Sequence, residues 1–330
     1  FRGGDVIEMA SSLKRIVFDK TGTLTIGRPL VNEIINSDNP EYLLKLAASL
    51  EQNSRHPLAH AVLQEAQKRE INLIQTTSTK TYPGSGLSGN LEGIKETIYL
   101  GKPEWLQSIG ISWEESTSYE LKESLKTGQS VIAVSEGNKF LGMLIIEDQI
   151  RSDANISLER LRKQGIKLSI LSGDRKEAVK RIGKELGFEP KEIGWELLPE
   201  DKLKALKVYE SEGNVGMIGD GINDAPALAA SNLGIAIGTG TQIAQDSADL
   251  VLLGDRLEGL PEAILLARKT MNKIRQNLIW AFGYNLIALP IAAGVMLPKF
   301  GLLLSPPIAA FLMAISSITV VINALSLKAT

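Results

Sequence analysis

The 330-residue chain has no cysteine, which excludes disulfides and thiolate metal sites from it and fits a reducing compartment. It has no excess of either charge: 36 Lys and Arg stand against 38 Asp and Glu, a formal net charge of -2, and the basic residues form no long run. That excludes nucleic acid as a partner class, because backbone phosphates demand a concentrated positive surface. Neither an initiator Met nor a signal peptide is present at Phe1-Arg2-Gly3-Gly4, so the sequence is expected to be a piece of a longer polypeptide. What is there is length for about two domains, at roughly 150 residues each.

The rest of the chain is organised around Asp19-Lys20-Thr21-Gly22-Thr23-Leu24-Thr25, which follows the apolar run Ile16-Val17-Phe18 directly. A short β-branched and aromatic run that stops at a carboxylate places Asp19 at the C-terminal end of a strand, where open α/β sheets bind ligands. Thr21, Gly22 and Thr23 supply hydroxyls and close N–H groups suited to phosphoryl oxygens, so Asp19 is a candidate nucleophile for an aspartyl-phosphate. The heptad resembles the phosphorylation signature of P-type ATPases. Soluble phosphatases on the same core usually place a second Asp two residues after the nucleophile. Here Thr21 stands there, with no titratable group near neutral pH, so the acyl phosphate is expected to persist. A long-lived phosphoenzyme suits a pump better than a phosphatase.

Further along, strand and helix signals alternate in two blocks. Residues 1–27 and 148–255 form one discontinuous block, the phosphorylation domain, and residues 28–147 an insertion with its own small core. The strand Lys167 to Leu171 ends in Ser172-Gly173-Asp174, a second turn offering hydroxyl, backbone and carboxylate to the same cleft. Another strand ends in Gly219-Asp220-Gly221-Ile222-Asn223-Asp224. Asp220 and Asp224 give hard oxygen ligands in about the number Mg²⁺ takes beside phosphate and water, and Asn223 adds a neutral polar group. With Leu233 to Ile237 and Asp249 to Leu253, a parallel sheet of about five strands flanked by helices follows.

The insertion carries Glu51, then Ser54-Arg55-His56-Pro57, then Gly84-Ser85-Gly86. This order resembles the nucleotide domain of heavy-metal-transporting P-type ATPases. The resemblance implies that Glu51, His56, Gly84 and Gly86 hold ATP, with Gly101 and Lys102 at the border; an imidazole and close glycine backbone suit an adenine. It further implies that Lys20, Ser172, Gly173, Asp174, Lys202 and Asn223 serve phosphoryl transfer beside Asp19, that Lys202 reaches the aspartyl-phosphate, and that Asp19, Thr21, Asp220 and Asp224 hold Mg²⁺. The implied fold is a haloacid-dehalogenase-like doubly wound parallel sheet with an inserted α+β nucleotide-binding domain, followed by two transmembrane α-helices.

After a connecting helix at 256–277, residues 278–297 and 301–327 carry almost no formal charge and are long enough to span hydrocarbon. Lys269, Lys273 and Arg275 before them and Lys328 after them outnumber Lys299 between them, which puts the globular part in the cytoplasm or a stroma-like compartment. Tyr284 and Asn285 in the first span, with Met313 and Ser317 one helical turn apart in the second, resemble the copper(I) branch of the heavy-metal pumps, and a thioether suits Cu⁺. Similarity in style points to cyanobacterial and plastid-type members.

The resemblance thus implies ATP-driven transport of Cu⁺ with ATP and Mg²⁺ as cofactors. The implied partners are membrane lipid, the transported metal, an upstream actuator domain and further membrane helices, with a soluble copper chaperone as a further candidate. A Zn²⁺ or Cd²⁺ pump is the alternative, weakened by the lack of a charged residue in the last two helices. A membrane-tethered phosphatase of the same core is a second alternative, and a non-transporting relic a third.

Overall fold

The computed structural model describes residues 1–54, 56–126, 128–220, 224–238, 248–294 and 305–329. Helix α1 (Gly4–Ser12) leads into strand β1 (Arg15–Phe18) and a tight turn at Lys20–Leu24. The insertion follows as β2 (Thr25–Ile35), α2 (Pro40–Glu51), α3 (Pro57–Lys68), β3 (Thr76–Tyr82), β4 (Gly86–Leu91), β5 (Ile98–Gly101), α4 (Pro103–Ser108), α5 (Glu115–Lys126), β6 (Ser130–Glu136) and β7 (Lys139–Ile150). The first block resumes with α6 (Ala154–Lys163), β8 (Lys167–Leu171), α7 (Lys176–Glu185), β9 (Ile193–Gly194), α8 (Pro199–Glu210), β10 (Val215–Gly219), α9 (Ala225–Ala230), β11 (Leu233–Ile237) and β12 (Leu250–Leu252). Helices α10 (Gly259–Ala292) and α11 (Pro306–Leu325) complete the described chain.

One sheet is parallel throughout, in the order β12-β11-β10-β1-β8-β9. Its sixth strand, β9, is absent from the sequence expectation because two residues show no periodicity. Strand β1 is central and buried on both faces: Ile16 and Phe18 enter one core, Val17 the other. Helix-covered parallel strands read as continuous apolar runs for this reason. The C-terminal ends of β1, β8 and β10, next to Asp19, Ser172 and Asp220, therefore lie side by side at one edge.

The insertion is an antiparallel sheet, β2-β7-β6-β5-β4-β3. Alternation along β6 and β7 sends Ile132, Val134, Leu144 and Ile146 toward α2 and α3, and Val131, Ala133, Met143 and Ile145 toward α4 and α5. Helix α2 starts on Asn39, whose side chain accepts from Tyr42 N–H at 3.0 Å, with Pro40 in the first turn. Strands β2 and β7 pair from Thr25↔Ile150 through Pro29↔Asp148, so they run across the expected boundaries near 28 and 147. Strand β2 escapes sequence detection because Gly27 and Pro29 interrupt it and most of its residues face solvent.

No helix boundary falls at residue 278, where the sequence expectation divides a connecting helix from a span. Helix α10 runs unbroken from Gly259 to Ala292, its first turns burying Leu260, Ile264 and Ala267 in the core under the parallel sheet. It ends short of residue 297, with Gly294 at φ +84. The second helix begins at Pro306 instead of 301, because paired prolines favour a first turn. Residues 295–304, including Pro298, Lys299 and Phe300, lie outside the described residues. Among the described residues no helix is long and apolar enough to cross a membrane. The two helices are tied by Lys273 Nζ to Asn323 Oδ1 at 2.9 Å and Asn323 Nδ2 to Asn277 Oδ1 at 2.7 Å.

Candidate active site and nucleotide cavity

Asp19 ends β1 and is 7% exposed. Its Oδ2 accepts from Thr21 N–H at 3.0 Å, which curls the following turn over the strand end, and Gly22 at φ +73 permits that curl. Its Oδ1 accepts from Lys202 Nζ at 2.6 Å, and the same ammonium reaches Asp224 Oδ1 at 2.8 Å. Lys202 lies in the first turn of α8, where the helix dipole disfavours a cation. Burial would also depress its pKa, yet the charges of Asp19 and Asp224 outweigh burial and raise it.

On the other side of the cleft, Asp174 Oδ2 pairs with Lys20 Nζ at 2.7 Å and accepts from Thr21 Oγ1 at 3.0 Å and Ser172 Oγ at 3.2 Å. Burial pushes Asp174 up, but Lys20 and the two hydroxyls hold it below its usual range. Asp19, Thr21, Ser172, Gly173, Asp174, Lys202 and Asp224 line a common cavity of about 320 Å³. Asp220 adjoins it: a side chain on Gly22 would lie 3.2 Å from Asp220 Oδ2. Asn223 lies outside the described residues.

Burial first, then the charge of Asp224, pushes the Asp19 carboxyl up to about 6, and Lys202 only partly opposes them. Asp224 is also raised by burial, with Lys202 opposing and Asp220 adding. Asp19 and Asp224 share the Lys202 ammonium, and both carboxyls stay raised; a cation bound beside them would lower both. Among the described residues no three acidic or imidazole side chains converge tightly enough to hold a metal alone. Mg²⁺ suits that donor supply, since it completes its shell with phosphate and water.

Two residues outside the predicted site hold its turn in place. Arg151, 7% exposed, donates to the carbonyls of Thr23 at 2.8 Å, Gly22 at 2.9 Å and Asp255 at 2.8 Å, and pairs with the Asp255 carboxylate at 2.7 Å. Asp148 accepts from Gly27 N–H at 2.9 Å and from Thr25 Oγ1.

The second cavity, about 470 Å³, lies in the insertion and is lined by Glu51, Ser54, His56, Gly84, Gly86 and Lys102 among others, with Leu50, Leu87 and Leu100 as apolar floor. Glu51 is 5% exposed, and burial raises its pKa against the pull of Ser54 and His56. Its buried Oε2 has no hydrogen-bond partner among the described residues. His56 caps α3 through Nδ1, which accepts from Leu58 N–H at 3.2 Å and leaves Nε2 for a ligand.

The glycines divide in role. Gly84, at φ +74 with open space around it, is required by the turn. At Gly86 a Cβ would lie 2.7 Å from both Gly101 Cα and Trp105 Cζ3, so the packing of strand and indole, as well as any ligand, demands glycine.

The four C-terminal candidates lie on two helices that pack together. Asn285, Met313 and Ser317 are exposed and Tyr284 half-buried, and among the described residues no hydrogen bond joins the two pairs. Ser317 Oγ donates to Met313 O at 3.1 Å within its own helix.

Comparison with known proteins agrees with this architecture. The haloacid dehalogenase-like hydrolase family model matches residues 13–232. A probable copper-transporting ATPase, SynA, of Synechococcus is 42% identical over 333 residues, covering 99% of this chain and 40% of that protein. The chain therefore spans about two fifths of the length of that curated relative. Among solved structures, a zinc-transporting PIB-type ATPase in its E2.Pi state superposes with a TM-score of 0.86 at 34% identity, over 98% of this chain and 51% of the other. The catalytic domain of the CPx-ATPase CopB-B, studied for conformational changes upon nucleotide binding, gives 0.61 at 31% identity, over 80% of this chain and 94% of that domain. With its strand-end aspartate, its inserted cavity and these matches, the chain belongs to the haloacid dehalogenase-like hydrolases, in their heavy-metal P-type ATPase branch.

Proposed function

We propose that this chain is the ATP-using part of a pump that moves Cu⁺ across a membrane through an aspartyl-phosphate. The observation that carries the reading is Asp19, buried at a strand end and held by Lys202, with Thr21 where a hydrolytic enzyme would keep an acid. ATP enters the insertion's cavity, its base toward Glu51 and His56. The insertion then swings on β2 and β7 toward the cleft. Asp19 attacks the γ-phosphorus in line; the bond to the β,γ-bridging oxygen breaks, ADP departs, and Asp19 carries the acyl phosphate. Lys202 balances charge on the transferring group, and Thr21 N–H and the Ser172 hydroxyl are placed to donate to its oxygens. Asp19, Thr21, Asp220 and Asp224 would hold Mg²⁺ beside the phosphate, where it would supply Lewis-acid charge neutralisation.

The cargo follows from the copper-transporting relative and from the soft thioether of Met313, with Tyr284, Asn285 and Ser317 as further ligands. The zinc-transporting neighbour keeps Zn²⁺ as a second reading. Transport requires a membrane, and the uncharged stretches 278–297 and 301–327, parts of which lie outside the described residues, are assigned to it. An upstream actuator domain, further membrane helices and a soluble copper chaperone complete the proposed assembly.

The test is phosphorylation from radiolabelled ATP in the full-length protein under reducing conditions. Label that needs Cu⁺ and vanishes in Asp19→Asn, while ATP binding persists, supports the reading. Dependence on Zn²⁺ would change the cargo, and label persisting in Asp19→Asn would remove the nucleophile.

A further inference from the structure

The nucleotide cavity and the Asp19 cleft share no lining residue, so transfer between them requires a swing about the hinge strands. Two contacts onto α7, one from hinge strand β7 and one from the loop before β6, oppose that swing. Glu147 in β7 accepts from Arg181 Nη1 in α7 at 2.6 Å, with both side chains largely shielded, and its other oxygen is hydrogen-bonded by Gln129. Next to Gln129, Gly128 at φ +75 sits on the first turn of α7 so closely that any side chain there would strike the Ala178 backbone. Helix α7 directly follows the turn bearing Asp174. Among the described residues the buried Arg181 Nε has no hydrogen-bond partner, a cost this arrangement carries and a swing would relieve.

We infer that the Glu147–Arg181 pair and the Gly128–Ala178 seat form an autoinhibitory latch, which holds the insertion where it receives ATP and must release before the γ-phosphate reaches Asp19. This rests on the ATP and Asp19 roles proposed above. It is a conformational device read from two independent contacts, one ionic and one steric, between the two blocks.

The chain has no cysteine, so Glu147→Cys with Arg181→Cys introduces the only two thiols. Bridging them with a short bis-maleimide should leave ATP affinity within about twofold and cut phosphorylation of this chain from ATP at least about tenfold, relative to the unbridged double variant. Arg181→Gln should phosphorylate about twofold to fivefold faster at sub-saturating ATP, the range expected for loss of one partly screened ion pair. A bridged protein that phosphorylates at the unbridged rate overturns the latch, as does Arg181→Gln slowed with ATP binding intact. Absence of both ATP binding and phosphorylation in the parent chain would instead overturn the proposed function, and the latch with it.

Discussion

Asp19 sits where burial and the neighbouring Asp224 favour its proton and Lys202 opposes it, with a net result of about 6 against 3.8 for an unperturbed group. Because the folded pKa lies above the unfolded one, the folded state binds this proton more tightly. The group therefore favours folding below pH 3.8 and opposes it increasingly as pH rises through about 6. Asp19→Asn should be more stable than the parent above pH 6, on the order of 2 kcal/mol, with the advantage gone near pH 4. Melting temperatures of both proteins from pH 4 to 8, without nucleotide or Mg²⁺, check this; an advantage undiminished at pH 4 would contradict it. A carboxylate that weakens its own fold is the expected mark of a site built to be neutralised by something it binds.

Among the elements, the short strands β4 and β5 carry the sharpest demand. Gly86 and Gly101 bring their backbones together over the Trp105 indole, which also stacks on Tyr82 at 4.8 Å. Gly86→Ala should destabilise the insertion by about 1–3 kcal/mol through overpacking and weaken ATP binding with it, while Gly84→Ala should act only through backbone strain. Denaturation of the two variants, followed by tryptophan fluorescence, separates the cases. This was not legible beforehand: the spacing Gly84-Ser85-Gly86 marks a loop, but a glycine facing an indole nineteen residues on is set by strand pairing, which no local pattern encodes. The strand β1 and its aspartate were legible because an apolar run and a functional turn abut in sequence. Strand β2, half exposed and broken by Gly27 and Pro29, was not. Nor was Arg151, whose three carbonyl partners lie more than a hundred residues away in the chain.

For the whole molecule, the cores matter most. The insertion closes its two faces with its own helices, and its buried clusters share no residue with those of the parallel sheet. Calorimetry should therefore resolve two unfolding transitions, and ATP should raise only the one belonging to the insertion, by about 2.7 kcal/mol of stability at a hundredfold excess over Kd. A single transition shifted as a unit would show that the hinge couples the blocks fully. The fold class and the order of blocks could be read from the chain; their relative placement, which rests on contacts such as Glu147–Arg181, could not. The pairing of Thr25 with Ile150 has a consequence for synthesis. Strand β1 emerges early, yet both its neighbours, β8 and β10, come after the insertion. By then the insertion is complete, and its paired ends already hold β1 beside the point where β8 will appear. A distant strand pairing becomes a near neighbour, the entropy of closing that long loop having been spent in folding the insertion itself. The insertion, complete before β8 and β10 are made, is thus positioned to template the parallel sheet around β1.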